Sequence, residues 1–339
     1  MPSPDQPPHA TGPTAVSMVG FRNADDVRHC VATLAEGSDP NFVVLICENG
    51  GRAGFDDLVA GLATLAAEGT APAVTDPAIA TVWRGTLPGG QVVEALCAAD
   101  NLGYAGGVNA TIARLAAFPD WSALWVLNAD TEPDRDALAA LVRKARSDPR
   151  YGIVGSRLVL FGTGKIQAYG GRWRKYTARG FNIGLGRPAE APVDAGAVER
   201  EMTYVLGASM YITHAFIDEV GGMTEDYFLY VEEVDWCLRR GRFRLGLAAD
   251  SIIHHHHGGT LGSSTSRRAR SRLAVYLEER NKHLISRRLY PALYPLVALT
   301  TLVFTAQYIR ARAPRNFVIA LEGWWAGLRG ESGKPAWMR

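Results

Sequence analysis

The stretch Trp121–Pro133 (WSALWVLNADTEP) constrains the fold of this chain more than any other part of its sequence. Its apolar run Ala123–Leu127 is short and β-prone, which is typical of a strand that is buried on both faces. After two further residues the chain places a carboxylate, Asp130. Ligands of open α/β sheets bind at the carboxyl ends of the strands, so Asp130 lies where a metal ion or a diphosphate would bind. An aspartate that only caps the following helix is the alternative interpretation.

Strands and helices alternate through the first half of the chain. The other predicted strands there are Val16–Val19, Phe42–Cys47 and Val92–Cys97, and the predicted helices include Phe55–Ala67 and Asp134–Arg146. This alternation predicts an α/β fold with a doubly wound, mainly parallel sheet, whose polar strand ends converge along one edge. Further strands are predicted at Ile153–Phe161 and Leu245–Ala248, with an aromatic, glycine-rich loop at Ile166–Gly186 between them.

The length and composition suit a folded protein with a full core, since 47% of the 339 residues are hydrophobic. Residues 1–15 are rich in proline and lack an apolar segment, which predicts a disordered lead-in and no secretory signal. Four cysteines lie far apart without a CxxC pair. This pattern favours buried, reduced thiols in the cytoplasm over disulfides or a zinc site.

The charge of the chain is unevenly distributed. From Leu261 to Arg339 there are 14 Lys and Arg against 4 Asp and Glu, whereas the preceding 260 residues carry a net charge of −8. An acidic body argues against nucleic acid as a partner. A basic tail that also contains apolar sequence favours an anionic membrane surface.

A glycine-rich turn, Asn101–Gly107, follows the third predicted strand. It is neither GxGxxG nor a Walker A loop. Glycines in front of a helix let backbone N–H groups approach a phosphate or a sugar, and Asn109 is placed to donate to the same ligand. A tight turn without a ligand is the equal alternative.

Three acids, Glu232, Glu233 and Asp235, open a predicted helix among large aromatic residues. The helix dipole accounts for one or two of them. Glu232 and Asp235 are three positions apart and are expected to share a face, whereas Glu233 points to a neighbouring one. One carboxylate is therefore a candidate general base, and another a candidate to hold an acceptor hydroxyl.

Four consecutive histidines, 254 to 257, precede Gly258-Gly259. In an extended segment alternate side chains face opposite sides, so only one or two of the histidines can point into a site. Neutral imidazole is a good ligand for a divalent ion that Asp130 already holds, although a structural role is the alternative. In the aromatic loop, Trp173 suits the face of a sugar ring, unless the loop is a hairpin that packs its own aromatics.

Five segments in this order resemble family-2 glycosyltransferases with a GT-A fold, close to the rhamnosyltransferase-like branch. They are NLGYAGGVN (Asn101–Asn109), LNADT (Leu127–Thr131), GASMY (Gly207–Tyr211), FLYVEEVDWCLR (Phe228–Arg239) and HHHGGT (His255–Thr260). The resemblance implies a GT-A domain over residues 16–288, which leaves 289–339 as a helical, basic and apolar tail. It departs at Gly20–Asn23 and Glu48–Gly50, where the family has Tyr-Asn and Asp-Asn pairs, so the nucleotide of the donor stays open.

The resemblance also implies an inverting sugar transfer from a dTDP-, UDP- or GDP-sugar to a glycan or lipid-linked acceptor in cell-surface polysaccharide synthesis, with rhamnose a candidate sugar. It implies Mg²⁺ or Mn²⁺ on Asp130, with His255 and His257 as candidate ligands, and Glu233 as base, with Asp235 and Glu232 as further catalytic candidates. The candidate donor-binding residues are Phe21, Asn23, Glu48, Asn49, Asp100, Asn101, Gly103, Gly107, Asn109 and Asn128. The candidate acceptor-binding residues are Trp173, Gly207, Ala208 and Asp226.

Two other functions fit parts of the sequence. A sugar-nucleotide nucleotidyltransferase also uses strand-end acids and a metal, but its first loop would be rich in glycine, unlike Gly20–Asn23. A non-catalytic, metal-binding membrane scaffold would use the histidine run and the basic tail.

The tail contains Tyr290–Ile309, 20 residues without a formal charge, between two arginine clusters. A membrane span would separate these clusters, against the usual one-sided bias of basic residues. We therefore expect the segment to lie in the membrane interface, so that the protein is peripheral on the inner face of the plasma membrane. A core hairpin packed on the catalytic domain is the alternative.

Overall fold

The computed structural model describes residues 12–256 and 266–338. The strands are β1 (Thr14–Gly20), β2 (Phe42–Glu48), β3 (Ala67–Glu68), β4 (Ile79–Thr86), β5 (Val92–Ala98), β6 (Ala123–Leu127), β7 (Thr131–Pro133), β8 (Tyr151–Leu160), β9 (Lys165–Ala168), β10 (Gly170–Arg174), β11 (Arg179–Ile183), β12 (Ser209–Thr213) and β13 (Arg244–His255). The helices are α1 (Ala24–Ala35), α2 (Gly51–Leu62), α3 (Gly103–Arg114), α4 (Ala137–Arg146), α5 (Ala195–Glu201), α6 (His214–Val220), α7 (Glu232–Leu238), α8 (Arg272–Leu289), α9 (Tyr294–Arg310) and α10 (Pro314–Arg329).

The main sheet has the order β3-β4-β5-β2-β1-β6-β12-β8-β13-β7, with β9 paired to β8. Its centre is parallel, because β1 pairs in parallel with β2 and β6, and β2 pairs in parallel with β5. The continuous apolar runs of β2 and β6 are buried on both faces, as strands covered by helices require. The carboxyl ends of β1, β2 and β6 therefore lie side by side.

Helices cover both faces of this sheet and form two hydrophobic cores. Val16, Ile46 and Trp125 pack toward α1, α2 and α4 on one face. Leu45 and Val126 pack toward α3 and α7 on the other. The predicted doubly wound α/β sheet is thus confirmed. The four cysteines are unpaired and buried, as their spacing predicts.

Several local predictions need correction. Strand β4 and the antiparallel insertion of β12 between β6 and β8 were not predicted, and α2 is Gly51–Leu62 rather than Phe55–Ala67. The stretch Ile166–Gly186, predicted to be a loop or a hairpin, contains β9, β10 and β11, of which β10 and β11 pair as a hairpin. Strand β1 begins at Thr14, so the sheet includes the end of the predicted lead-in; residues 1–11 lie outside the described residues.

The predicted helical tail folds back onto the rest of the structure. Helix α10 packs so closely on α8 that a Cβ at Gly323 would overlap the carbonyl oxygen of Tyr276. Helix α9 packs on both α8 and α10. Within the described residues, Pro291–Arg310 is the one helical segment whose length and mean hydropathy of 1.5 would allow it to cross a membrane.

Candidate active site

A cavity of about 370 Å³ opens at the carboxyl ends of β1, β2 and β6. Residues predicted from the sequence contribute much of its lining. They are Phe21, Asn23, Asn49, Asn101, Gly103, Asn128, Asp130, Gly207, Ala208, Glu232, Glu233 and His255. The predicted convergence of polar strand ends thus places most of the candidate residues around one space.

Glu48 lies beneath the cavity, at the end of β2, rather than in its wall. Its side chain is fully buried and accepts the backbone N–H groups of Arg22, at 2.9 Å, and Gly50, at 2.7 Å. Burial raises the pKa of Glu48, while these two hydrogen bonds lower it. The carboxylate therefore ties the loop after β1 to the loop after β2.

The glycine-rich turn is held by Asn49, which lies at the end of β2. Its Nδ2 donates to the carbonyl oxygen of Gly103, at 2.9 Å, and its Oδ1 accepts the N–H of Leu102, at 3.2 Å. Gly103 has a φ of 74°, and a Cβ there would overlap the carbonyl oxygen of Phe228. The glycine is therefore required by a close approach between two backbones inside the protein.

Three predicted donor-binding residues in this region do not line the cavity. Gly107 packs against the side chain of Val19. Asn109 Nδ2 donates to the carbonyl oxygen of Met223, and Asn109 Oδ1 accepts the N–H of Met223, both at 2.9 Å. Asp100 is exposed and pairs with Lys334 at 2.6 Å. These residues support the fold around the site, which corrects their predicted contact with the donor.

Asp130 and His255 meet at the floor of the cavity. The His255 Nε2 lies 3.2 Å from Asp130 Oδ1, and its Nδ1 lies 2.8 Å from Gln167 Oε1. With Nδ1–H donating to the glutamine oxygen, the lone pair of Nε2 faces the carboxylate. In that tautomer the carboxylate and the imidazole lone pair present two ligand atoms to one point, which suits a divalent metal ion.

The rest of the histidine run follows the alternation of a strand. His254 pairs with Asp134 at 3.1 Å and His256 with Glu132 at 2.7 Å, both outside the cavity. His257 lies outside the described residues. Across residues 12–256 and 266–338, no group of three His, Cys, Asp or Glu side chains is arranged to hold a metal ion. Asp130 and His255 are the two predicted metal ligands that the described residues bring together.

Of the three acids at the start of α7, the cavity contains Glu232 and Glu233. Burial raises the pKa of Glu232 well above its ordinary value, and the nearby Glu233 carboxylate raises it further. Burial also raises the pKa of Glu233. The buried Oε2 of Glu232 has no hydrogen-bond partner within the described part of the chain. A substrate hydroxyl in the cavity would supply one.

Asp235 does not line the cavity, contrary to its predicted catalytic role. Its side chain is fully buried. It accepts hydrogen bonds from Thr224 Oγ1 at 2.8 Å, Tyr227 Oη at 3.1 Å and Arg239 Nε at 2.7 Å. These bonds fasten the 224–227 segment to α7, so Asp235 positions the helix that bears Glu232 and Glu233.

The loop before α7 has an unusual backbone. Phe228, Tyr230 and Val231 have φ values of 63°, 72° and 67°, in the region that β-branched and bulky residues rarely adopt. From α8, Asn281 Nδ2 contacts the carbonyl oxygens of Tyr227, Leu229 and Tyr230 at 2.8 to 3.1 Å. Sequence reasoning missed this buried asparagine, which holds the loop in its strained shape.

The predicted acceptor-binding residues divide in two. Gly207 and Ala208 line the cavity, and the Gly207 carbonyl accepts the hydroxyl of Tyr104 at 3.1 Å. Trp173 is buried in the core beside α7, and Asp226 is an exposed side chain 3.6 Å from Arg288. Neither of these two lines the cavity, so both predictions are corrected.

Further residues in the cavity wall were not among the predicted site residues. They are Val19, Tyr104, Ala129, Gln167, Leu206, Phe228, Leu229, Tyr230, Leu273 and Met338. Tyr104 lay inside a quoted motif, and its hydroxyl is 3.0 Å from Asn128 Oδ1. Leu273 and Met338 show that the C-terminal region completes the wall.

Known structures share this architecture. A mannosyltransferase from Pyrobaculum calidifontis, determined in complex with GDP-Man and Mn²⁺, superposes with a TM-score of 0.52 at 14% identity, over 96% of this chain and 90% of its own. The chain has the GT-A fold of glycosyltransferases. The S. aureus protein TarS (residues 1–349), in complex with UDP-GlcNAc, matches with a TM-score of 0.50 at 9% identity, over 94% of this chain and 92% of its own.

Curated relatives by sequence are also glycosyltransferases. The N-acetylglucosaminyl-diphospho-decaprenol L-rhamnosyltransferase of Mycobacterium tuberculosis is 25% identical over 201 residues, 54% of this chain and 65% of that protein. The low-salt glycan biosynthesis hexosyltransferase Agl10 of Haloferax volcanii is 21% identical over 142 residues, 40% of this chain and 45% of that protein. The matches span under two thirds of each relative. No protein-family model matches the chain. The predicted resemblance to glycosyltransferases is confirmed in sequence relatives and in fold.

Proposed function

We propose that this GT-A protein is an inverting, metal-dependent glycosyltransferase. In this proposal it moves a sugar, with rhamnose a candidate, from a nucleotide-sugar donor to a glycan or lipid-linked acceptor in cell-surface polysaccharide synthesis. The observation that carries the proposal is one cavity that contains both the Asp130–His255 pair and the Glu232–Glu233 pair. The first pair suits a diphosphate with its metal, and the second suits proton transfer from a hydroxyl.

The donor would bind across the ends of β1, β2 and β6. Phe21, whose ring is 37% exposed, offers a face for the base, and the amides of Asn23, Asn49 and Asn101 offer hydrogen bonds to the nucleoside. These groups do not select one nucleotide, so dTDP-, UDP- and GDP-sugars are all candidates.

The chemistry of the Asp130–His255 pair fits Mg²⁺ or Mn²⁺, because a carboxylate and an imidazole lone pair face each other. The ion would neutralise negative charge on the departing nucleoside diphosphate. Gln167 Oε1 lies 2.8 Å from Nδ1 of His255, and a proton on Nδ1 would leave the Nε2 lone pair beside Asp130 for the metal.

Glu233 is the proposed base. Burial raises the pKa of both glutamates, and the adjacent Glu233 carboxylate raises the pKa of Glu232 further, so Glu232 is the one of the pair that holds a proton more readily. Glu233 then accepts the proton of the acceptor hydroxyl, while the oxygen of that hydroxyl forms a bond to the anomeric carbon. The bond from that carbon to the diphosphate oxygen breaks on the opposite face, which inverts the centre. Protonated Glu232 can donate a hydrogen bond to the substrate.

We also propose a cytoplasmic location at the inner face of the membrane. The similar mycobacterial enzyme acts, by its name, on a diphospho-decaprenol acceptor. A lipid-linked acceptor of this class would present its sugar at a membrane surface, close to the basic C-terminal region.

The test is a screen of dTDP-, UDP- and GDP-sugars for slow donor hydrolysis with Mn²⁺, followed by transfer with NMR of the product anomer. We expect one nucleotide to stand out and the product to be inverted. Release of pyrophosphate from a nucleoside triphosphate and a sugar phosphate would favour a nucleotidyltransferase instead. Metal affinity that no donor changes would favour a scaffold.

A further inference from the structure

Helix α9 carries apolar side chains on the side that faces away from the protein. Leu296, Leu299 and Val303 follow one another at i, i+3 and i+7, and are 47%, 60% and 63% exposed. The opposite side of the helix buries Val297 and Tyr308 together with Thr301 and Thr305, whose hydroxyls bond carbonyl oxygens of the same helix. A surface helix of a water-soluble protein normally carries polar side chains on its outward face. The outward stripe of α9 therefore has the composition of a contact surface.

The turn of the β10–β11 hairpin lies against this helix. Thr300 Oγ1 donates to the carbonyl oxygen of Tyr176 at 3.2 Å, and the Arg179 guanidinium lies 5.2 Å from the centre of the Phe304 ring. Tyr176 is 52% exposed, and the neighbouring Arg174 and Lys175 are exposed as well. The hairpin thus adds an aromatic ring and two cations to the edge of the apolar stripe.

Positive charge in this region is not balanced locally. Residues 170–187 contain no Asp or Glu, and neither do residues 289–321. In the part of the chain that the structure describes, Arg174 and Lys175 form no ion pair with an acidic side chain. At the C-terminal end of α9, Arg310 and Arg312 are exposed, and Arg315 is exposed in the first turn of α10. Cations therefore lie on the hairpin beside the stripe and at the C-terminal end of the helix.

We propose that Leu296, Leu299 and Val303, together with Arg174, Lys175 and Tyr176, form a docking surface for an anionic lipid bilayer. The apolar stripe enters the acyl boundary, Tyr176 lies at headgroup level, and the cations meet anionic headgroups. The role of this surface rests on the proposed function, since docking would bring the cavity to a lipid-linked acceptor. A second copy of the chain would not require cations along this surface.

The same contacts argue that α9 lies along the membrane rather than across it. A span would expose the buried Thr301, Thr305 and Tyr308 to lipid, and would break the contact between Thr300 and Tyr176. Helix α9 also packs on α8, which contributes Leu273 to the cavity wall. Docking through α9 would therefore hold the cavity close to the membrane surface.

The test is co-sedimentation of the full chain with vesicles of phosphatidylcholine alone or with a third phosphatidylglycerol. We expect binding only to the anionic vesicles. Leu299→Ser/Val303→Ser should weaken it by about tenfold or more, and Arg174→Gln/Lys175→Gln by a similar factor that shrinks at high salt. Two control variants should bind like the unmodified protein. Val74→Ser changes an exposed valine in the connection before β4. Arg143→Gln/Lys165→Gln removes two exposed charges elsewhere on the surface.

Binding that both test variants retain would overturn the proposal, and so would a dimer in light scattering that Leu299→Ser/Val303→Ser dissociates. Membrane binding that resists carbonate would also overturn it in favour of a span. Hydrolysis of a nucleotide sugar in the absence of vesicles is measured on the same variants and should not change. A protein that binds anionic vesicles but turns over no nucleotide sugar would refute the proposed function and leave the docking surface standing.

Discussion

Replacing Asn281 by leucine should selectively slow sugar transfer. The variant keeps the size of the side chain and removes its two N–H donors, which contact three carbonyl oxygens of the 227–230 segment. A net hydrogen bond contributes about 1 kcal/mol, and a buried carbonyl left without a partner costs about 1–3 kcal/mol. The total loss is on the order of 2–4 kcal/mol.

The strain in the loop is of similar size, since each of its three positive-φ residues costs on the order of 1–3 kcal/mol. Without Asn281 the loop should relax and carry Glu232 and Glu233 out of position. We expect kcat to fall on the order of 30- to 10³-fold, because about 1.4 kcal/mol corresponds to a factor of ten. Donor affinity should hold, since the proposed donor-binding residues lie on the loops after β1, β2 and β5.

The matched control is Asn316→Leu. This asparagine is also buried, and its Nδ2 also donates to two backbone carbonyls, those of Arg267 and Arg270, but it does not touch the loop. Calorimetry with the donor, steady-state transfer and thermal unfolding would be compared for both variants. Equal loss of thermal stability, with kcat of the Asn281 variant within about threefold of the control, would refute the positioning role.

Three further changes test the site. Glu233→Gln should preserve donor binding and reduce transfer by about 10²–10⁴-fold. Because burial raises the pKa of Glu233, the unmodified enzyme should lose transfer activity on acidification at a higher pH than an ordinary glutamate would cause. The residual rate of the variant should not show this loss. Asp130→Ala should abolish Mn²⁺-dependent donor binding in calorimetry, whereas the exposed Asp250→Ala should not; unchanged affinity in folded Asp130→Ala would remove the metal role. Gly103→Ala should lower the unfolding free energy by about 1–3 kcal/mol more than Gly90→Ala. Gly90 also has a positive φ, but a Cβ there would meet no atom within 4 Å. An equal effect of the two variants would argue against the clash with Phe228.

The central sheet was predictable because its strands are continuous apolar runs with polar ends. The Asp130–His255 contact followed from the same regularity, since a strand alternates its side chains and a strand end exposes its polar residues. The placement of Asp235 was not recognised, although Arg239 four positions later indicates an ion pair on the helix surface. The 166–186 stretch contains the hairpin that the sequence left as the alternative to a loop, and Trp173 is buried in it.

Other parts of the site have no local signal. Asn281 contacts a loop more than fifty residues earlier in the sequence. In the sequence, a single asparagine inside a predicted helix indicates only a residue of low helix propensity. Met338 reaches the cavity from the end of the described chain. Such contacts depend on tertiary packing, which periodicity and motif spacing do not record.

The contacts that α8 and the C-terminal region make with the loop before α7 also bear on the order in which the site forms during folding. Arg280 donates to the carbonyl of Tyr227 at 2.8 Å and to that of Gly333 at 2.7 Å, while the N–H of Gly333 bonds Asp226. A chain that emerges from the ribosome with its N-terminal part first can complete the sheet and the proposed donor-binding half of the cavity before these partners exist. The carboxylates of α7 would gain their working geometry only when the C-terminal helices dock. A shortened protein could then bind a nucleotide sugar and still transfer nothing.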